Sequence, residues 1–222
     1  METANCDMTD RDVSSQTLAE QTLSHVQARN SDLSNWRIMD CSVLALSMVN
    51  SRFNYCVANK SRWDNWTMDH CMAEHGFFSD CSFDRFSVQS SFFTGSRFVN
   101  CRFDQTAGEL TTFGLCVFRG AQWHRSRLSE VSFINSYWQE CEFYEEDFSF
   151  VRFPSSVFVN TRFVNCMLRK VIFRKATFLN CSFETCKLPE SVFHQARFQQ
   201  TQFKQTDIHE AANIEGIRGL AL

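Results

Sequence analysis

Bulky apolar residues recur at every fifth position along most of this chain. The stretch FLNCSFETCKLPESVFHQARF shows the pattern, with Phe or Leu at positions 178, 183, 188, 193 and 198. An α-helix repeats about every 3.6 residues and a strand every 2, so a five-residue period fits neither element alone. A fixed internal period is typical of solenoids, in which stacked coils bury a continuous core.

These central apolar positions keep one register from Met8 to Ile208, with no insertion or deletion. Two residues before most centres lies a small side chain or a thiol, and the other three positions of each unit are mostly polar. From Phe78 onward the non-aromatic centres fall in one column with a spacing of 20 or 40 residues, which only Phe148 interrupts: Val88, Gly108, Leu128, Leu168, Leu188 and Ile208. The nested period predicts coils with four short sides, in which residue n lies above residue n+20.

We therefore expect an all-β fold whose coils are spaced by about 4.8 Å, the usual distance between strands. About ten coils would give a rod of roughly 50 Å, formed by residues 13–212. Near the N-terminus Arg11, Gln16 and Gln21 replace the small side chains, so residues 1–12 are expected to be a cap or a frayed segment. Residues 213–222 leave the register and are expected to cap the last coil.

Several five-residue units resemble the consensus of the pentapeptide-repeat family, A-(D/N)-(L/F)-x-x. They include CSFET (181–185), ARFQQ (196–200), TRFVN (161–165) and CRFDQ (101–105). The resemblance covers almost the whole chain, although Phe is preferred to Leu at the centre and Cys to Ala before it. It implies a right-handed quadrilateral β-helix and no enzyme activity.

The eleven cysteines all lie two residues before a centre or in equivalent positions of the register, and none belongs to a C-x-x-C pair. This placement indicates small, buried, reduced side chains and not a disulfide framework or a zinc site. A reduced core favours a cytoplasmic location. His70, Cys71, Glu74 and His75 lie close together, but their spacing matches no metal motif and indicates a solvated corner. We expect no cofactor, no metal and no membrane span.

Three inward positions do not fit the core. Glu146 occupies a slot between Ser126 and Cys166, where a buried carboxylate would need partners. We expect the wall to bulge there or Glu146 to turn outward. Thr106 and Gly108 are both small, which predicts a local thinning or kink of the same wall.

Charge is distributed unevenly along the chain. Residues 1–80 hold 11 acids and 6 bases, residues 81–150 hold 9 and 6, and residues 151–222 hold 5 and 10. Asp64, Asp84 and Asp104 would stack one coil apart as a candidate acidic face, with arginines nearby that would neutralise it. The candidate basic patch consists of Arg169, Lys170, Arg174 and Lys175.

An outward column of apolar residues precedes the centres of one wall. Its members, the apolar stripe, are Val57, Phe77, Val117, Tyr137 and Val157. Arg97 interrupts the stripe, and Phe92 and Ile172 lie on an adjacent wall. A long exposed apolar stripe indicates a contact surface, and the alternative is a set of scattered surface residues.

These features predict a non-catalytic scaffold that binds a protein partner, with no direct contact to nucleic acid and with homodimer formation left open. Resemblance to quinolone-resistance and immunity members of the family implies a DNA-mimicking binder of a type II topoisomerase such as gyrase. The alternative is a bacterial type III secreted effector or adaptor acting in the host cytosol, which the Ser/Thr/Gln-rich start SSQTLAEQTLS favours.

Overall fold

The structure is a computed structural model that describes residues 2–220. It contains 27 short strands and one 3-10 helix, Ile208–Glu210. The strands are β1 Glu2–Ala4, β2 Thr17–Ala19, β3 Thr22–Arg29, β4 Arg37–Met39, β5 Ser42–Val49, β6 Val57–Asn59, β7 Arg62–Asp64, β8 Thr67–Asp69, β9 Phe77–Ser79, β10 Ser82–Asp84, β11 Ser87–Gln89, β12 Arg97–Val99, β13 Arg102–Asp104, β14 Ala107–Glu109, β15 Val117–Arg119, β16 Gln122–His124, β17 Arg127–Ser129, β18 Tyr137–Gln139, β19 Glu142–Tyr144, β20 Asp147–Ser149, β21 Val157–Val159, β22 Arg162–Val164, β23 Met167–Arg169, β24 Thr177–Leu179, β25 Ser182–Glu184, β26 Arg197–Gln199 and β27 Gln202–Lys204.

The strands form a parallel β-solenoid with four walls. In one coil the inward centres Trp138, Phe143, Phe148 and Phe153 line walls 1, 2, 3 and 4 in turn. Wall 1 is a sheet of ten parallel strands, one for each coil from β2 to β26. Walls 2 and 3 together make a sheet of 17 strands, and wall 4 is joined by single bridges between successive coils. The partner of residue n is residue n+20 along the ladders, as the sequence predicts.

The corners between walls depend on a left-handed backbone conformation. Every residue whose number is divisible by five, from Asn5 to Gln205, has a positive φ, and only Gly95 and Gly120 among them are glycines. This conformation costs most residues about 1–2 kcal/mol, and Asn and Asp tolerate it best. The chain uses Asn at many corners, and stacked pairs such as Asn160 and Asn180 are joined by a side-chain hydrogen bond of 2.8 Å.

The core consists of stacked aromatic rings from successive coils. The ring centroids of Phe163 and Phe183 lie 4.6 Å apart with planes inclined by only 2°. Rings from neighbouring walls meet edge to face, as Phe158 does with Phe163 at 5.6 Å and 61°. Both arrangements are favourable for aromatic pairs. The core is thus continuous along the rod because no single coil could bury these rings alone.

The thiols fill the inward positions between these rings. All eleven cysteines are free, and all but Cys6 are buried. The Sγ of Cys141 lies 3.4 Å from the carbonyl oxygen of Phe118 in the preceding coil, and the hydroxyl of Ser136 makes the same kind of contact with Phe113 at 2.8 Å. A small donor is therefore favoured at this position. Burial raises the pKa of the Cys141 thiol to about 12, so it stays protonated and unreactive.

Gly108 does not interrupt the ladder. Val88, Gly108 and Leu128 pair in unchanged register, so no kink appears there. A Cβ built at Gly108 would lie only 2.8 Å from Leu128 and 3.2 Å from Val131. Neighbouring side chains therefore occupy the space that a larger residue would take, and this keeps the wall packed.

Glu146 stays inside the rod, contrary to both expectations for it. Glu146 is only 1% exposed, and its carboxyl accepts a hydrogen bond of 3.1 Å from the backbone N–H of Ser126. The next strand pairing, Asp147 with Arg127, continues without a bulge. Burial raises the pKa of Glu146 to about 9, so the group is accommodated as a neutral acid and the wall does not need to open.

The two ends of the rod differ. At the N-terminal end β1 pairs with β3, while Arg11 and Gln16 are exposed and Gln21 is half-buried. At the C-terminal end Asp207 caps the 3-10 helix through the N–H of His209. The chain then rejoins the ladder with an offset of 21 residues in place of 20, as in the bridge between Val192 and Asn213.

Candidate interaction surfaces

The three aspartates of the candidate acidic face lie one above another on wall 2. Asp64, Asp84 and Asp104 are in-register partners in β7, β10 and β13. Like charges at this separation repel, and arginines from the same wall and its corner reduce the repulsion. Arg85 donates a hydrogen bond to Asp64 and lies 3.8 Å from Asp84.

Asp104 is neutralised in the same way by two arginines. Arg125 and Arg102 contact its carboxylate at 3.0 and 3.3 Å. Against the opposing effect of partial burial, hydrogen bonds from Arg125 and Arg102 hold the pKa of Asp104 below its usual range. The guanidiniums that contact these three aspartates belong to Arg62, Arg85, Arg102 and Arg125. This part of wall 2 is therefore an ion-pair network and not a continuous anionic surface.

The acidic column also ends at Asp104. The next partners in register are His124 and Tyr144, whose rings are 5.7 Å apart. Burial, followed by the charge of Arg102, lowers the pKa of His124. The column thus becomes uncharged at neutral pH toward the middle of the rod.

The apolar stripe lies on wall 1 as one continuous column. Val57, Phe77, Arg97, Val117, Tyr137 and Val157 are successive partners in the ladder. The aromatic members are the most exposed of its apolar residues, with Phe77 at 38% and Tyr137 at 37%. The three valines are half-buried.

Wall 4 extends this stripe with residues that the sequence analysis did not single out. One residue of this wall, Phe92, was already noted in the sequence, and it is 48% exposed. Met72, Leu115 and Ile134 are exposed as well. Leu115 occupies a corner, where the register otherwise favours polar residues. The exposure of Leu115 could therefore have been predicted from the sequence. Ile172, also noted, is half-buried in the bridge column of Phe92. We call the stripe together with Met72, Phe92, Leu115 and Ile134 the apolar surface.

Charged residues of both signs border the apolar surface. The flanking columns carry acids and bases in similar number: Asp69, Glu74, Asp80, Glu109, Glu130 and Glu140 against Arg52, Lys60, Arg97, Arg119 and Arg152. Only Asp69 of these acids contacts a basic side chain within residues 2–220, through a hydrogen bond of 2.6 Å to the His70 ring. The border is therefore mixed in charge, with a slight excess of acids.

The basic patch is spread over two walls and their corners. Arg169 follows a centre of wall 3 and Arg174 follows a centre of wall 4, while Lys170 and Lys175 occupy the next corners. Lys170 is partly neutralised by Glu190 at 3.4 Å, and its ammonium lies 5.0 Å from the ring centroid of Phe150. The patch is thus less cationic at Lys170 than its sequence suggests.

His70, Cys71, Glu74 and His75 do not converge. Cys71 is buried, His70 contacts Asp69, and the ring of His75 stacks on Tyr55 at 5.2 Å. Within residues 2–220 no cluster of three or more His, Cys, Asp or Glu side chains is placed to hold a metal ion.

The five-residue register, the four walls and the corner geometry decide the architecture. The chain has the pentapeptide-repeat fold. A family model described as the SV2A/B/C luminal domain matches residues 151–217, and no curated protein gives a significant sequence match. Among residues 2–220, no helix has the length and apolar character needed to cross a membrane.

Similar solved structures include pentapeptide-repeat proteins and an enzyme. Rfr23 from the cyanobacterium Cyanothece 51142 is 11% identical, with 42% of this chain and 64% of that chain covered and a TM-score of 0.40. QnrB1, a plasmid-mediated fluoroquinolone resistance protein, is 12% identical. The match covers 99% of this chain and 92% of QnrB1, with a TM-score of 0.38. An alginate lyase from Paenibacillus is 7% identical. The match covers 96% of this chain and 99% of the lyase, with a TM-score of 0.41. These likenesses do not decide whether the chain is catalytic.

Proposed function

We propose that this protein is a non-catalytic scaffold that binds another protein through its apolar surface. The observation that carries the proposal is the joint exposure of Phe77, Phe92, Leu115, Ile134 and Tyr137 on two adjoining walls. Proteins that work alone rarely expose a contiguous apolar area of this kind. The partner is a protein whose contact face combines apolar side chains with bordering charges of both signs, because the border here is mixed in charge.

The solenoid suits such a role because its surface is held by a continuous core. Phe77 and Tyr137 extend from strands whose neighbouring centres, Phe78 and Trp138, are fully buried. A partner would therefore pay little for ordering the backbone that presents these rings. The groups with strongly raised pKa values, such as Glu146 and Cys141, are enclosed in the core. They are not placed to act on a substrate.

The proposal is tested with the full chain as bait in a bacterial lysate and, separately, in a host-cell lysate. The variant Phe77→Asp/Tyr137→Asp introduces two charges into the apolar surface. The matched control Ser47→Asp/Ala107→Asp introduces them at the same register position on wall 3, also three coils apart. A specific partner should be captured by the wild type and the control, and lost by the stripe variant. Capture of the same partner by the stripe variant would overturn the proposal. A difference in molecular mass between the wild type and the stripe variant in sedimentation would assign the surface to a second copy of the chain.

A second candidate is binding to a type II topoisomerase through an acidic surface. The observation that favours it is a group of carboxylates that form no ion pair within residues 2–220: Glu130, Glu140, Glu145 and Asp147. Purified gyrase should then bind the wild type, and Glu140→Gln/Glu145→Gln/Asp147→Asn should abolish this binding. Unchanged binding by that variant would exclude this acidic group as the contact.

The effector role remains a separate proposal that rests on the composition of the N-terminal stretch. A fusion of residues 1–30 to a reporter should be exported from a secretion-competent strain if this stretch directs secretion. Retention of the reporter in the bacterium would count against the effector role. The role would gain support from a partner found only in the host-cell lysate.

A further inference from the structure

The last two coils bring together a pair of basic residues that is unlike any other in the ladder. Arg197 and Arg218 are direct partners in a parallel bridge. Among the ladder pairs of residues 2–220, no other places two basic side chains in register. Adjacent strands are about 4.8 Å apart, so two like charges extend from neighbouring backbone positions, and an anion bound between them would relieve their repulsion.

The protein supplies no such anion within residues 2–220. Elsewhere the arginines that crowd together share carboxylates, as Arg102 and Arg125 share Asp104. Neither Arg197 nor Arg218 forms an ion pair or a side-chain hydrogen bond in the described chain. The nearby Glu215 contacts His194 at 3.8 Å and not either arginine.

A cleft of about 650 Å³ lies beside this pair. Its lining includes a third cation, Lys175, and the polar side chains of Thr177 and Gln195, and it includes no acid. Lys175 also has no carboxylate partner among residues 2–220. The volume falls in the range of small-molecule sites, but the lining is polar and positive where most such sites are apolar.

The floor of the cleft adds a backbone donor. In the preceding coils Lys175 and Gln195 donate their N–H groups to carbonyls of the next coil, at 2.9 Å in both cases. Gly216 occupies the following corner with a φ of +70°, and its N–H has no acceptor among residues 2–220. A backbone N–H in this conformation, next to cationic side chains, is a typical element of anion-binding sites.

We propose that this cleft binds a small soluble anion that carries two linked phosphate groups. Arg197 and Arg218 each offer a planar fork that matches a phosphate, and their in-register positions allow one fork for each of two linked groups. Lys175 adds charge from the preceding coil, and Thr177 and the N–H of Gly216 can donate hydrogen bonds. The site adjoins the apolar surface on wall 1, because Thr177 is the ladder partner of Val157 and Arg197 follows in the next coil.

Isothermal titration of the full chain with pyrophosphate tests this site, with inorganic phosphate as the single-group comparison. Arg197→Gln/Arg218→Gln should weaken pyrophosphate binding at least about ten-fold, since each charge-assisted hydrogen bond contributes substantially. The matched control Arg37→Gln/Arg97→Gln removes the same charge from the same column of wall 1 and should bind as the wild type does. Lys175→Gln, a single change in the preceding coil, should also weaken binding.

Three results would overturn the proposal. One is the absence of pyrophosphate binding to the wild type at low ionic strength. Another is an equal loss in the matched control, which would show that only overall charge matters. The third is binding to phosphoinositide vesicles without binding to pyrophosphate, which would assign the cleft to a lipid headgroup. Circular dichroism of each variant confirms that the fold is retained.

Discussion

Glu146 lies in register above Ser126 in the inward column of wall 3, and its carboxyl accepts the backbone N–H of Ser126 at 3.1 Å. The second carboxyl oxygen of Glu146 has no hydrogen-bond partner in the structure, and neither do the hydroxyls of Ser126 and Thr106. The core therefore contains a short polar column that is tolerated because the carboxyl is protonated. This arrangement links the stability of the rod to pH.

We predict that stability falls as pH rises from about 5 to about 9 because of Glu146. The pKa of this group is about 9 in the folded protein, against an ordinary value of 4.5. Between these values the folded chain holds a proton that the unfolded chain has lost, so unfolding becomes easier by up to about 1.4 kcal/mol per pH unit. Urea unfolding at several pH values measures the slope. Glu146→Gln, which cannot ionise, should remove it, and equal slopes would contradict the burial of a neutral acid.

Removing a ring from the middle of the stack should cost more than removing one at the end. Phe163 stacks on Phe143 and Phe183 at 4.7 and 4.6 Å, whereas Phe203 stacks only on Phe183 and is half-exposed. Phe163→Ala should lower the free energy of unfolding by roughly 3–5 kcal/mol, and Phe203→Ala by clearly less. Denaturant unfolding of both variants checks this. Equal losses would mean that the coils do not stack as described.

Leu115 occupies a corner with a φ of +57° and is 60% exposed. Asn adopts this conformation more readily than Leu. We expect Leu115→Asn to raise the free energy of unfolding by about 0.5–1 kcal/mol while weakening partner binding. The converse control is Asn135→Leu at the next corner above, where φ is +53°, and it should destabilise. A loss of stability in Leu115→Asn would indicate that its side chain is packed within the protein.

The ion pairs of wall 2 should contribute little to stability. Asp64→Asn/Asp84→Asn/Asp104→Asn removes three carboxylates from a solvent-facing network, and such pairs are each worth about 0.2–1 kcal/mol. We expect a total loss of roughly 1–2 kcal/mol that shrinks at high salt, with binding through the apolar surface unchanged. Thermal unfolding in low and high salt measures the first part. Loss of the captured partner in this variant would show that wall 2 belongs to the interface.

The fold could be predicted from the sequence because a single register controls every coil. The five-residue spacing fixed which residues point inward, and the 20-residue column separated wall 3 from the aromatic walls, which explains why Leu188 stands among phenylalanines. The state of Glu146 could not be predicted, because it depends on whether neighbouring side chains leave room for a neutral carboxyl. The arginine contacts of Asp104 depend on rotamers across coils, and Arg125 comes from the coil above.

The left-handed conformation of the corners could not be predicted from the periodicity alone either. Residues as different as Asn135, Leu115 and Phe150 share this conformation, so residue type does not reveal it at any single corner. The exposure of Leu115 follows directly from it, because a corner directs its side chain to solvent, whereas Met72, Phe92 and Ile134 flank the inward centres of wall 4. The apolar surface is therefore broader than the stripe that the sequence predicts.

The most direct test of the central claim is site-specific photo-crosslinking in cells. A photoreactive phenylalanine analogue replaces Phe92 or Leu115 on the apolar surface, and Ser87 or Gln122 on walls 3 and 2 as exposed controls. If the apolar surface binds a protein partner, the first two positions should give one defined crosslinked product and the controls none. Crosslinks at Ser87 or Gln122 without any at Phe92 and Leu115 would contradict the claim.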